Sequence, residues 1–437
     1  MPKPMKLNQR GAVIVFCGCL FFELATGCKN GKSNSTSTPM SITPISTSPT
    51  ILSVTTLPPA SSTPTQILVR QTSIGETPTP SLEGLHFQCL EVMDKLPPGA
   101  VYHGVAVLRG WLPDPSVLMS MATGELITLP KDNFVVVSPD RTHLAYKDWS
   151  DENGNFTLVV TDPNGQGKIL IPWEKDWFSL VQWLDNQRLV IIKKSYPLYS
   201  TVILNPFTKK QQEIPSNYPD ILTTFQYHYW GDYAYSEAVY DPTLTRVVYM
   251  MESRGQDGFI LRDLQNRITL ESYQISADDY GQTPKWSPNG DRFAIVIDEF
   301  SPTGQVAQEL YIISREGQES RLTYLSNHNS YSRIDEFSWS PDGQYIAFWW
   351  TNDPDYKNGE QLAVLDTQTG DVTNYCVPGG IDGQAVEPVW SPDGKQVLTE
   401  YIPRQNGDRF TILVDFTQGL AAKIAEERTP VGWLLSP

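Results

Sequence analysis

The stretch FSWSPDGQYIAFWW, Phe337 to Trp350, decides the fold. Pro341 presets the backbone for a type I turn, and Asp342 suits the position after it. Gly343 accepts the left-handed conformation that closes a hairpin. Trp339 ends one run of β-formers and Tyr345 opens another. Taken alone, the stretch could be an enzyme loop with Ser340 or Asp342 in a catalytic role. It recurs, however. Trp286-Ser-Pro-Asn-Gly precedes DRFAIVID, and Trp390-Ser-Pro-Asp-Gly precedes KQVLTEY. The three tryptophans stand 53 and 51 residues apart. Catalysis gives no reason to copy a residue at a fixed interval, whereas a repeated supersecondary unit does.

Degraded copies extend the series to Val137, Trp183, Tyr240 and, near the end, Trp433, with steps of 46, 57, 46, 53, 51 and 43 residues. Each unit has the same internal grammar. A strand ends in the motif, and the turn leads to a second strand such as Arg292–Ile297 or Tyr345–Trp350. A third follows, as in Thr157–Asp162, Glu309–Ser314 and Gln361–Asp366, and then a short fourth. Four antiparallel strands at this period predict an all-β chain, a β-propeller of four-stranded blades.

This grammar resembles the WD40-like PD40 repeat of TolB-type β-propellers, over about residues 101–437. The resemblance implies a fold and no particular activity. TolB carries an α/β domain ahead of its propeller; here only LEGLHFQCLEVMDKLPPG, residues 82–99, precedes the first strand, too short for such a domain. Six motifs open complete units, and the segment at Trp433 supplies one further strand. GVAVLRG (104–110) and SVLMSMATGELITLP (116–130) supply the other three. The expectation is therefore seven blades, the last closed by both termini from 431–435 and about 103–130. Six blades is the alternative.

Composition agrees. The 437 residues include 34 Pro and 30 Gly, with 11% aromatic and only 19% charged, a balance of strands and turns rather than helices. A net charge of −16 repels phosphate backbones and argues against nucleic acid as a partner.

The first residues have a different character. Lys3, Lys6 and Arg10 precede the apolar run GAVIVFCGCLFF, which is too short for a permanent membrane span. LATGC, Leu24 to Cys28, resembles the lipobox of bacterial lipoproteins. That resemblance implies cleavage before Cys28, lipidation of Cys28 and a membrane anchor on the extracytoplasmic side. An ordinary secretory signal is the alternative. The expected organisation is a signal peptide over 1–27, a Ser/Thr/Pro-rich disordered stalk over 28–82 and the propeller over 83–437.

Once Cys17 and Cys19 have left with the signal and Cys28 is assigned to the lipid, Cys89 and Cys376 remain. In an oxidising compartment they are expected to form a disulfide, with two buried thiols as the alternative. No cofactor and no metal site is expected. His86 and Cys89 alone make half a zinc site. Asp151-Glu-Asn-Gly-Asn and Asp162-Pro-Asn-Gly-Gln fall where hairpin turns are needed, without the ligand spacing of a calcium loop. No Gly-x-Ser-x-Gly elbow occurs, so the hydrolase chemistry of prolyl-oligopeptidase relatives is not expected.

Function, on this reading, belongs to the variable loops entering each motif strand. The loop 216–239 is the most distinctive, with FQYHYWGDYAYSEAVY packing aromatics into a polar setting. Candidate ligand contacts are Trp177, Tyr227, His228, Tyr229, Trp230, Asp279 and Tyr280, amphipathic side chains suited to a protein, peptide or glycan partner. The same rings could instead plug their own blade. Three functions stay open: a non-enzymatic binding module, a propeller enzyme acting on carbohydrate through carboxylates converging in the channel, and a structural envelope protein.

Overall fold

The computed structural model describes residues 84–110, 114–129, 135–148, 156–173, 177–195, 198–214, 238–253, 256–266, 268–275, 283–300, 304–329, 331–355, 357, 359–379, 385–402 and 408–437. Seven sheets are arranged in a ring. Blade 1 joins both ends of the domain: Arg428–Leu434 is its inner strand, followed outward by Val105–Gly110, Val117–Ser120 and Leu126–Thr128. Val105 pairs with Leu434 and Ala106 with Trp433, so the expected seven-blade closure is the one observed. The inner strands of blades 2 to 7 are Val135–Val137, Trp177–Trp183, Ala238–Tyr240, Lys285–Trp286, Arg333–Trp339 and Val389–Trp390. Each ends on the residue that marks its repeat.

The core sits between blades. Seven apolar clusters of described residues each span one pair of neighbours, and together they run around the whole ring. The strand Tyr345–Thr351 shows how its sequence does this. Alternate side chains point to opposite faces of a sheet. Ile346, Phe348 and Trp350 therefore face blade 5, while Ala347 and Trp349 face blade 7. Both tryptophans are buried. Burying a side chain of this size contributes roughly 1.5–3 kcal/mol, which is why the strand is apolar on both faces.

The Ser-Pro-Asp-Gly turns are built alike. Ser340 is fully buried; its Oγ donates to Asp342 Oδ1 at 2.6 Å and accepts from the Tyr345 N–H at 2.9 Å. Ser391 repeats the pattern with Asp393 and Gln396, and Ser138 with Asp140 and His143. These serines latch the turn and are not placed for catalysis. Neighbouring turns also touch. A Cβ on Gly290, whose φ is +68°, would lie 2.6 Å from Pro242 Cδ of the preceding blade.

One feature has no counterpart in the repeat. Leu85–Phe87 adds a fifth, parallel strand to the outer edge of blade 6, and Val92–Met93 does the same for blade 7. Gln88 and Leu90 donate their N–H groups to Asn374 and Tyr375 carbonyls at 2.9 and 3.0 Å. Within this strap, Cys89 is bonded to Cys376, with Cα atoms 4.7 Å apart. Cys376 has φ of 57°, and its N–H donates to Asn374 Oδ1 at 2.7 Å. Beyond it, Lys423 Nζ and Asp94 Oδ1 meet at 2.8 Å. Among the described residues, no helix is long and apolar enough to cross a membrane.

Candidate functional site

The inner strands surround a channel containing a cavity of about 760 Å³. Its charged centre comes from three successive blades. Lys285 Nζ lies 2.9 Å from Glu387 Oε2 and 3.2 Å from Glu336 Oε2. The lysine side chain is 20% exposed, Glu336 40% and Glu387 53%, so both carboxylates face channel water.

Local structure explains the convergence. Asp335 pairs with Trp349 and Phe337 with Phe348, which leaves Glu336 as the extra residue of a β-bulge. A bulge re-aims a side chain relative to the regular pleat. Glu387 precedes the inner strand of blade 7. Its flanks are held by two hydrogen bonds, from Trp349 Nε1 to the Val386 carbonyl at 2.8 Å and from Ser338 Oγ to the Pro388 carbonyl at 2.5 Å. Lys285 is tied by its backbone as well, since its carbonyl accepts the Trp339 indole N–H at 2.9 Å.

Electrostatics follow from this placement. Burial works against the Lys285 ammonium, but Glu387 and Glu336 outweigh it and hold the pKa above the ordinary lysine value. Enclosure by the channel walls raises the Glu387 carboxyl although its side chain is half exposed to the cavity; Lys285 opposes that shift and Glu336 reinforces it, leaving the group above the usual carboxylate range. Arg109 of blade 1 lines the same cavity and has no ion-pair partner among the described residues.

At the opposite end, Arg141 crosses the closure. Its guanidinium donates to the Trp390 carbonyl of blade 7, and its own carbonyl accepts the Leu435 N–H at 2.9 Å. Burial pushes its pKa down to about 10, against the pull of Asp393.

The residues expected from the sequence fare unevenly. Trp177 opens the inner strand of blade 3, but its side chain lies outside the described residues. Tyr227, His228, Tyr229, Trp230, Asp279, Tyr280 and Cys28 also lie outside them. Segments 215–237 and 276–282 join the outer strand of one blade to the inner strand of the next. The Asp162 turn is a hairpin turn, with Asp162 Oδ1 accepting from Asn164 and Gln166 N–H groups at 2.9 and 2.8 Å.

Lys285, Glu336 and Glu387 are new. A signal for the glutamates exists: each stands three residues before its motif tryptophan.

With turns, inner strands and channel in register, the repeat declares itself. The fold is a seven-bladed β-propeller. No protein-family model matches the chain, and no curated protein matches it. Similar solved structures include TolB from Acinetobacter baumannii, 14% identical with a TM-score of 0.41, over 75% of this chain and 82% of that one. An oligogalacturonate lyase in complex with manganese is 11% identical with a TM-score of 0.46, over 77% of this chain and 86% of the lyase. A puromycin-hydrolysing peptidase of Mycobacterium tuberculosis is 10% identical with a TM-score of 0.48, over 78% of this chain and 57% of the peptidase. The likeness is one of fold.

Proposed function

We propose that this protein is a lipid-anchored propeller outside the cytoplasm that binds a protein, peptide or glycan partner, without catalysis, at the end of the ring where the blade-to-blade loops enter the channel. The observation that carries this reading is the channel itself. It is an open cavity of about 760 Å³ in which Lys285, Glu336 and Glu387 are locked to one another across three blades. A preformed cavity with a few fixed polar groups suits recognition, and a carboxylate held by a lysine ammonium is poorly free to shuttle protons. Trp177, Tyr227, His228, Tyr229, Trp230, Asp279 and Tyr280 are the proposed contacts from the surrounding loops. Pull-down of membrane fractions and glycan-array binding test this. Alanine at Tyr227, His228 and Trp230 should remove a partner that the wild type retains; an unchanged set of partners would refute the site. For the anchor, palmitate labelling should disappear in C28S.

A second reading has one observation in its favour. Glu336 and Glu387 converge in the channel, and the raised pKa of Glu387 is the environment of a general acid. A propeller enzyme acting on carbohydrate would cleave an oligosaccharide in a panel assay and lose that activity in E387Q. Retention of any such activity by E387Q would exclude this pair.

A further inference from the structure

We infer that the channel mouth takes a basic side chain, lysine or arginine, presented by a partner polypeptide, with Glu336 and Glu387 as its acceptors. This rests on the binding reading above and names the chemistry of that site.

The site already shows what it holds. Each glutamate gives only its Oε2 to Lys285. The two Oε1 atoms make no hydrogen bond among the described residues, and both side chains are open to the cavity. Within ion-pair distance two carboxylates meet one ammonium, on rigid strand ends; Arg109 and Arg141 line the same cavity but make no ion pair with either glutamate among the described residues. A second cation satisfies the two carboxylates better than a neutral hydroxyl does, because a charge-assisted bond is roughly twice as strong as a neutral one. The direction of the Glu387 shift agrees, since burial and Glu336 together work against its charge more than Lys285 favours it.

The walls suit such a side chain. Ala385, Val386 and Pro388 border the glutamates, and the aliphatic stem of a lysine or arginine packs on apolar surface while its head stays polar. Arg109 stands on the wall from blade 1 with no ion pair among the described residues, and offers a donor to a carbonyl or carboxylate of the same partner segment. The whole chain, at −16, attracts basic partners at long range.

The test uses the full chain and the peptide acetyl-trilysine amide, titrated by calorimetry beside its norleucine analogue. The wild type should bind the lysine peptide and not the analogue. E336Q/E387Q should weaken binding by at least about tenfold, while E125Q/E213Q, which removes the same charge from exposed positions of outer blade regions, should change it less than about twofold. K285M removes the resident ammonium and should tighten binding; it carries the test alone if E336Q/E387Q does not fold. Equal weakening by both double variants would overturn the inference, as would absence of peptide binding or weaker binding by K285M. A partner captured by the wild type and still captured by E336Q/E387Q would overturn this ligand chemistry and leave the binding function standing. Failure to capture any partner bears on the function itself.

Discussion

The indole N–H of Trp390 donates to the backbone carbonyl of Ser338 at 3.2 Å, joining the inner strands of blades 6 and 7. Trp339 does the same to Lys285 at 2.9 Å, Trp286 to Val239 at 3.0 Å and Trp183 to Val136 at 3.1 Å. The motif tryptophan is thus a stitch between blades as well as a packing surface. W390F keeps most of the apolar contact and removes the donor, leaving the Ser338 carbonyl to its ladder pairing with Ala347. A loss of about 0.5–1.5 kcal/mol is expected, read as a lower midpoint in denaturant unfolding. An unchanged midpoint would show the stitch to be dispensable.

The turn ring predicts a contrast between two glycines. G290A must adopt φ of +68° and push its Cβ within 2.6 Å of Pro242. G124A meets the same kind of backbone cost, φ +73°, with nothing within 4 Å. The backbone cost alone is about 1–2 kcal/mol. G290A should therefore destabilise clearly more than G124A, and equal thermal shifts would mean that the turns do not pack against each other.

Closure through blade 1 depends on Arg428–Leu434. Removing residues 431–437 takes Trp433 from the interface of blades 7 and 1 and exposes the edge of Val105–Gly110. The truncated protein should lose its cooperative melt and become rapidly sensitive to protease. A retained sharp transition at the wild-type temperature would argue against this closure.

Asp241 takes the place of the motif serine in blade 4 and is fully buried. It accepts from the Thr243 and Thr245 N–H groups at 3.0 and 2.8 Å, and Arg315 Nη1 lies 2.9 Å away. Burial alone would raise its pKa, but hydrogen bonds from the Thr243 hydroxyl, the Arg246 N–H and Arg315, with the Arg315 charge, hold it below the ordinary carboxylate value of 3.8. A depressed folded-state pKa contributes stability that is present above the unfolded value and lost as pH falls through the folded one. Wild-type stability should therefore drop below about pH 4. D241N should be less stable at neutral pH and show a shallower acid loss; identical acid profiles would remove Asp241 from the account.

Much of this fold is legible before any coordinates. Trp286, Trp339 and Trp390 carry the period, and the turn chemistry of Pro341, Asp342 and Gly343 assigns the strands on either side. The strap is not legible. Leu85–Phe87 and Val92–Met93 are parallel additions of three and two residues, too short to show alternation. The channel charges are half legible. Glu336 and Glu387 share a register position, yet only the bulge at Glu336 turns that side chain toward Lys285, and no residue type marks a bulge of this kind.

The bond between Cys89 and Cys376 closes a covalent circuit between residues 287 positions apart. It takes in the added strand Val92–Met93, three strands of blade 1 and the four-stranded units of blades 2 to 6, apart from the end of the last outer strand. Leu85–Phe87, the four-stranded unit of blade 7 and the closing strand Arg428–Leu434 lie outside the circuit. The segment after Cys89 runs past the outer edge of blade 7 on its way to blade 1. Blades 6 and 1 are therefore joined twice: through the packing of blade 7 between them, and covalently by a short leash around its outer edge.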